Sequence, residues 1–118
     1  MALLLSGCSS DEVPLGTVSG HVTKAGTPQK GLSVIFEPVE GGRGSEGLTD
    51  ASGYYELGFA ARKGAILGKH NVTVEVKEHT NEAGIVTRPA EKFLSAERDV
   101  QSGSNNFDFD VAEKGEKQ

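Results

Sequence analysis

The chain has one cysteine and no tryptophan in 118 residues. A single cysteine excludes an internal disulfide, so packing and hydrogen bonding must hold the fold. Basic charge is also scarce: 12 Lys and Arg stand against 17 Asp and Glu, for a net charge of −5. That balance argues against a nucleic-acid surface, and no nucleic-acid partner is expected. Aromatics make up 6% and apolar residues 36%, low for a helical bundle but workable for short strands that each bury one face. No run after Cys8 approaches the roughly 20 apolar residues of a membrane-spanning helix. The length suits one domain with a modest core. Glycine is abundant instead: sixteen residues, which points to many turns.

The sole cysteine sits in an informative place. Residues 1–7, Met1-Ala2-Leu3-Leu4-Leu5-Ser6-Gly7, run apolar and then small, like the end of a secretory signal. Leu5-Ser6-Gly7-Cys8 resembles a bacterial lipobox. Small residues let an extended backbone enter a membrane peptidase, and the Cys8 thiol takes a diacylglyceryl group. Each buried acyl CH₂ contributes roughly 0.8 kcal/mol, so several chains such as palmitate hold a protein firmly on a bilayer. The stretch before Cys8 lacks a basic n-region and is short for an apolar h-region, so the true start is expected upstream of Met1. Ser9 in place of Asp after the cysteine resembles the enteric pattern for the outer membrane. Residues 8–15 then read as a lipidated Cys8 and a polar tether. Residues 112–118 alternate in charge without an apolar face and read as a disordered tail.

Residues 16–111 show short alternating runs between glycine-rich turns, the pattern of an all-β domain. Thr17 to Thr23 places Val18, Gly20 and Val22 on one face. Leu32, Val34 and Phe36 alternate up to Pro38, which cannot donate to a ladder. Glu40 to Gly47 holds four glycines and no apolar residue and reads as a mobile loop, with Leu48-Thr49 a short strand. Asp50-Ala51-Ser52-Gly53 is a tight turn, with Asp50 capping its own backbone and Gly53 taking positive φ. Tyr55, Leu57 and Phe59 point inward next. Lys69 to Lys77 is the clearest strand, with Val72, Val74 and Val76 inward. Residues 79–96 read as irregular, with one short helical turn at most over Ala90 to Ala96. Asp99 to Gln101 reads as a short strand. Asn106 to Val111 is the last, with Phe107, Phe109 and Val111 inward. About seven strands result, which suits a two-sheet antiparallel sandwich.

These strands carry a resemblance. Val18-Ser19-Gly20-His21-Val22-Thr23, Gly26-Thr27-Pro28-Gln29-Lys30-Gly31-Leu32-Ser33-Val34-Ile35-Phe36 and Thr49-Asp50-Ala51-Ser52-Gly53-Tyr54-Tyr55-Glu56-Leu57 resemble the carboxypeptidase regulatory-like domain. Gly68-Lys69-His70-Asn71-Val72-Thr73-Val74, Arg88-Pro89-Ala90-Glu91-Lys92-Phe93 and Gly103-Ser104-Asn105-Asn106-Phe107-Asp108-Phe109 resemble small lipoproteins of planctomycete-type bacteria. The resemblance implies a transthyretin-like (prealbumin-like) Greek-key β-sandwich in the cell envelope. It implies no activity and no catalytic residues.

The chemistry-bearing residues form no constellation in sequence. Asp50 and Ser52 offer too few oxygens for calcium and read as a turn. His21, His70 and His79 lack the spacing of a ligand pair. Tyr54 and Tyr55 are adjacent in a strand and face opposite ways, so they do not share an iron as in intradiol dioxygenases. The end Gly115-Glu116-Lys117-Gln118 lacks the Tyr-Arg-Gly-Ser terminus of the hydroxyisourate hydrolases. Lys24, Asn106 and Glu56 sit on outward faces, against a pilin-type isopeptide. Asn71-Val72-Thr73 matches a glycosylation sequon but reads as strand. The expectation is a lipid-anchored, non-catalytic envelope domain without cofactor or metal, acting in structure or protein interaction. The alternative is a glycan- or peptide-binding module, with Tyr54 and Arg43 as its candidate surface.

Overall fold

The computed structural model describes residues 13–112; the lipobox with Cys8 and the end of the tail lie outside the described residues. No helix occurs among the described residues. The first strands are β1 (Leu15–Lys24), β2 (Thr27–Pro28), β3 (Ser33–Pro38), β4 (Ser45–Leu48) and β5 (Tyr54–Glu56). Next come β6 (Gly58–Phe59), β7 (Arg62–Lys63), β8 (Ala65–Ile66) and β9 (Gly68–Val76). The last are β10 (His79–Thr80), β11 (Val86–Arg88), β12 (Glu91–Val100), β13 (Gly103–Asn106) and β14 (Phe109–Asp110). These fourteen segments exceed the expected seven because single edges are shared out among several short partners.

The first sheet is built on β1. One edge of β1 takes β8, β5 and β2 in turn, all antiparallel. Its other edge takes β13 and β14, both parallel. The second sheet runs β12-β9-β3-β4-β6-β7, antiparallel throughout. Among the described residues no strand pair joins the two sheets, so they do not close into a barrel. The chain passes from the first sheet to the second at Leu57, between β5 and β6. A small β10-β11 hairpin stands between β9 and β12.

The inner faces follow the period-two pattern. Val18 and Val22 from β1 meet Val34 and Phe36 from β3 and Val72 and Val74 from β9, all buried. Tyr55 and Leu57 close the core beside them. Full burial of such a side chain contributes about 1.5–3 kcal/mol. Gly20 is required by a close approach: a Cβ there would sit 2.0 Å from the Phe107 carbonyl oxygen.

Four expectations are corrected. Residues 45–47 belong to β4 rather than to a mobile loop. Their inward positions are Ser45 and Gly47, which give no apolar signal; a Cβ on Gly47 would lie 2.5 Å from the Glu56 carbonyl oxygen. Residues 91–100 form one ten-residue strand that absorbs both the expected helical turn and the short strand at Asp99. The alternation there is masked by a bulge at Phe93 and by Arg98 on the inward face. Of the expected last strand, Asn106 to Val111, only Asn106, at the end of β13, and Phe109 and Asp110, as β14, are strand; between them the Phe107 carbonyl accepts from the Tyr55 hydroxyl at 2.6 Å. Phe59 and Phe107 are half-buried rather than central, and Leu48 ends β4 with 66% of its surface exposed.

Candidate functional site

The nominated surface residues are best placed by register. Tyr54 pairs with His21 on β1. It follows a turn built by Asp50, whose Oδ1 accepts from Ser52 N at 2.9 Å, Ser52 Oγ at 2.7 Å and Tyr54 N at 3.1 Å. Gly53 closes the turn at φ +82°. The Ser52 hydroxyl first, then the two amides, hold the Asp50 carboxyl below its ordinary range. The carboxylate is thus engaged by its own turn. Tyr54 is 37% exposed, and its ring meets His21 edge-on at 5.4 Å. Its neighbour Tyr55 is buried on the opposite face, as alternation requires. Burial, with Asp108 adding to it, pushes the Tyr55 hydroxyl up and keeps it protonated.

Arg43 lies at the other end of the molecule. Its guanidinium stands 5.9 Å over the Phe59 ring. Phe59 pairs with Arg62, whose Nη1 donates to the Val13 carbonyl at 3.0 Å. Gly42, beside Arg43, faces Ile66, and Ile66 pairs with Leu15 at the start of β1. His21 is six residues further along that strand, about 20 Å away. The structure therefore does not bring Tyr54 and Arg43 into one surface.

The histidines are also apart. His21 is exposed on the first sheet, His70 lies in β9 of the second, and His79 stands on the β10-β11 hairpin. No group of three or more His, Cys, Asp or Glu that could hold a metal is present among the described residues. His70 is only 1% exposed. A carbonyl only accepts, so His70 Nδ1–H donates to Gly68 O at 2.9 Å. This leaves Nε2 buried without a partner, 5.6 Å ring to ring from Phe36. Ser45 Oγ is a second such atom. Glu56 and Asn106 flank Ser19 from either side of β1, but Lys24 pairs with Thr27 at the strand's far end, and Glu56 pairs with Lys63 at 3.7 Å. The isopeptide candidates are thus not assembled.

Two features escaped the sequence. Arg98 projects from β12 with its guanidinium 4.9 Å from the Phe109 ring and 5.9 Å from Phe107. A shallow depression of about 350 Å³ is lined by His79, Thr87 and Arg88 of the hairpin. Neither carries a sequence motif: the partners of Arg98 lie across the fold, and the hairpin pairs locally between exposed residues without an apolar alternation.

Compared with known proteins, the chain matches no family model and no curated protein. It is similar to the crystal structure of a 9R-lipoxygenase from Cyanothece, with a TM-score of 0.52 and 14% identity. The match covers 91% of this chain and 20% of that one. At that identity the likeness shows the fold alone. No helix among the described residues is long and apolar enough to cross a membrane.

Proposed function

We propose that the protein is an envelope lipoprotein, anchored through Cys8, whose domain acts in structure or protein interaction without catalysis. In this reading the two sheets are a Greek-key β-sandwich of the transthyretin-like, carboxypeptidase regulatory-like kind, held on the outer membrane by acyl chains. The observation that carries it is the sole cysteine in Leu5-Ser6-Gly7-Cys8, five residues ahead of the first described residue. The test is expression in a bacterium of a natural reading frame with its upstream sequence, followed by detergent partitioning and intact mass. Wild type enters the detergent phase with an acylated Cys8, and Cys8→Ala stays aqueous. Equal partitioning of the two, without added mass on Cys8, removes the reading.

One observation supports glycan or peptide binding as a second reading: the exposed Tyr54 ring braced by His21. Such a ring offers a face for stacking. Arg43 is no longer part of that surface.

A further inference from the structure

The end of the domain that carries the N-terminus is built from four converging pieces. Residue 13 is tied there by Arg62. The β3-β4 loop reaches it through Val39, whose N–H donates to Lys69 O at 2.9 Å, and through Arg43 over Phe59. The β6-β7 hairpin brings Phe59, Arg62 and Lys63, and β8 brings Ile66. Exposed apolar groups and cations are interleaved on this end. Val13 is 40% and Val39 47% exposed. Arg43 and Arg62 are exposed too, and among the described residues neither forms an ion pair. They engage a ring and a carbonyl instead, which holds two guanidinium groups at the rim with donors to spare.

We infer that this end rests on the bilayer, with Arg43 and Arg62 meeting lipid phosphates and Val13 and Val39 at the headgroup boundary. The inference rests on the lipid-anchor reading. Chain length is its first support. The five residues from Cys8 to Val13 span at most about 18 Å fully extended, so an acylated Cys8 keeps this end within reach of the membrane. A short tether makes the surface contact effectively intramolecular, so weak groups suffice. The chemistry is the second support. A guanidinium matches phosphate bidentately, and long cationic side chains with small apolar neighbours suit an interface that is apolar on one side and wet on the other. Of the acids nearby, Glu56 is taken by Lys63 and Asp99 stands opposite Lys69 in register and accepts from Gln101, while Glu37 near the end of β3 and Glu40 inside the β3-β4 loop are exposed. The phosphate chemistry needs no net charge on the end, only the donors that the two guanidinium groups still have unused.

The chain's composition provides the assay. It has no tryptophan and one cysteine, so a single introduced tryptophan reports alone and Cys8 can be coupled to a maleimide-headgroup lipid. The full chain, unacylated and coupled through Cys8 to equimolar phosphatidylcholine and phosphatidylglycerol vesicles, is compared as Val39→Trp and Ile85→Trp. Ile85 lies on the hairpin beyond the far end of β9. On the vesicles the Val39→Trp emission should shift to the blue and be quenched by brominated lipid, while Ile85→Trp emits as in solution. Adding Arg43→Glu and Arg62→Glu to Val39→Trp should abolish the quenching, while Lys24→Glu and Lys30→Glu at the other end should not. Equal emission from the two tryptophans, or quenching that survives reversal of both arginines, overturns the inference. Because the anchor here is chemical, this outcome is independent of whether Cys8 is acylated in the cell, which the mass measurement decides separately.

Discussion

The break between β13 and β14 gives the sharpest test of the packing argument. There the Phe107 N–H still donates to Ser19 O at 2.9 Å, but the carbonyl turns inward to the Tyr55 hydroxyl, over Gly20. The outward-facing His21 N–H donates to Asp108 Oδ1 at 2.9 Å. Tyr55→Phe keeps the buried ring and its contact with Phe109 at 6.3 Å, and removes only the donor. An unsatisfied buried carbonyl costs about 1–3 kcal/mol, or about 4–8 °C in Tm per kcal/mol for a domain of this size. Gly20→Ala attacks the same carbonyl from the other side. Its Cβ would meet the oxygen at 2.0 Å and the carbon at 2.7 Å, so the backbone must yield, at about 1–3 kcal/mol. Once that carbonyl has moved, the hydroxyl has little left to lose. The double variant should therefore fall short of additivity by about 0.5 kcal/mol or more. Urea unfolding followed by circular dichroism measures all three. A neutral Tyr55→Phe, or two costs that simply add, would refute this account of the break. Alkali supplies a second readout. Burial raises the folded Tyr55 pKa, so its contribution is intact below the unfolded value of about 10 and declines as pH rises through the folded one. Wild type should lose stability above that pH more steeply than Tyr55→Phe.

The acid limb runs the other way. Asp110 accepts from Ala25 N, Ala112 N, Gly26 N and Thr23 Oγ1, and the Ala25 amide leads the donors that hold its carboxyl low. Asp50 is held low by its turn. Both folded pKa values lie below the unfolded ones, so their contribution is present above about pH 4 and is lost as pH falls through the folded values. The urea midpoint should drop below that pH, and less steeply in Asp110→Asn; identical slopes would contradict the assignment. In the core, Phe36→Ala should destabilise by about 3–5 kcal/mol, because the ring is fully buried against His70 and Phe107. A loss near that of a surface change, read from the urea midpoint, would show that the two sheets do not meet there as described.

What could be read from sequence divides along a physical line. Where inward positions are apolar and the outward ones polar, the pattern reports the strand directly. Val18 and Val22 in β1 and Val72, Val74 and Val76 in β9 are buried as the alternation requires. The Asp50 turn was equally legible, because its bonds are made within five residues. The pattern fails where the inward residue is chosen for what lies across the fold. Gly47 in β4 is small because the Glu56 carbonyl passes over it. Arg98 in β12 faces in because its guanidinium covers two rings from the C-terminal segment. Neither reason is written near the residue itself. The surface residues obey the same rule. Tyr54 and Arg43 are only eleven positions apart in the chain, yet β4 and the turn after it carry the backbone the length of the sheet between them. Arg43 instead meets Phe59, which β6 returns to the end where the chain enters. Proximity to the end where β1 begins is therefore a property of the strand order, and it places Arg43 on a different surface from the one its sequence neighbourhood suggested.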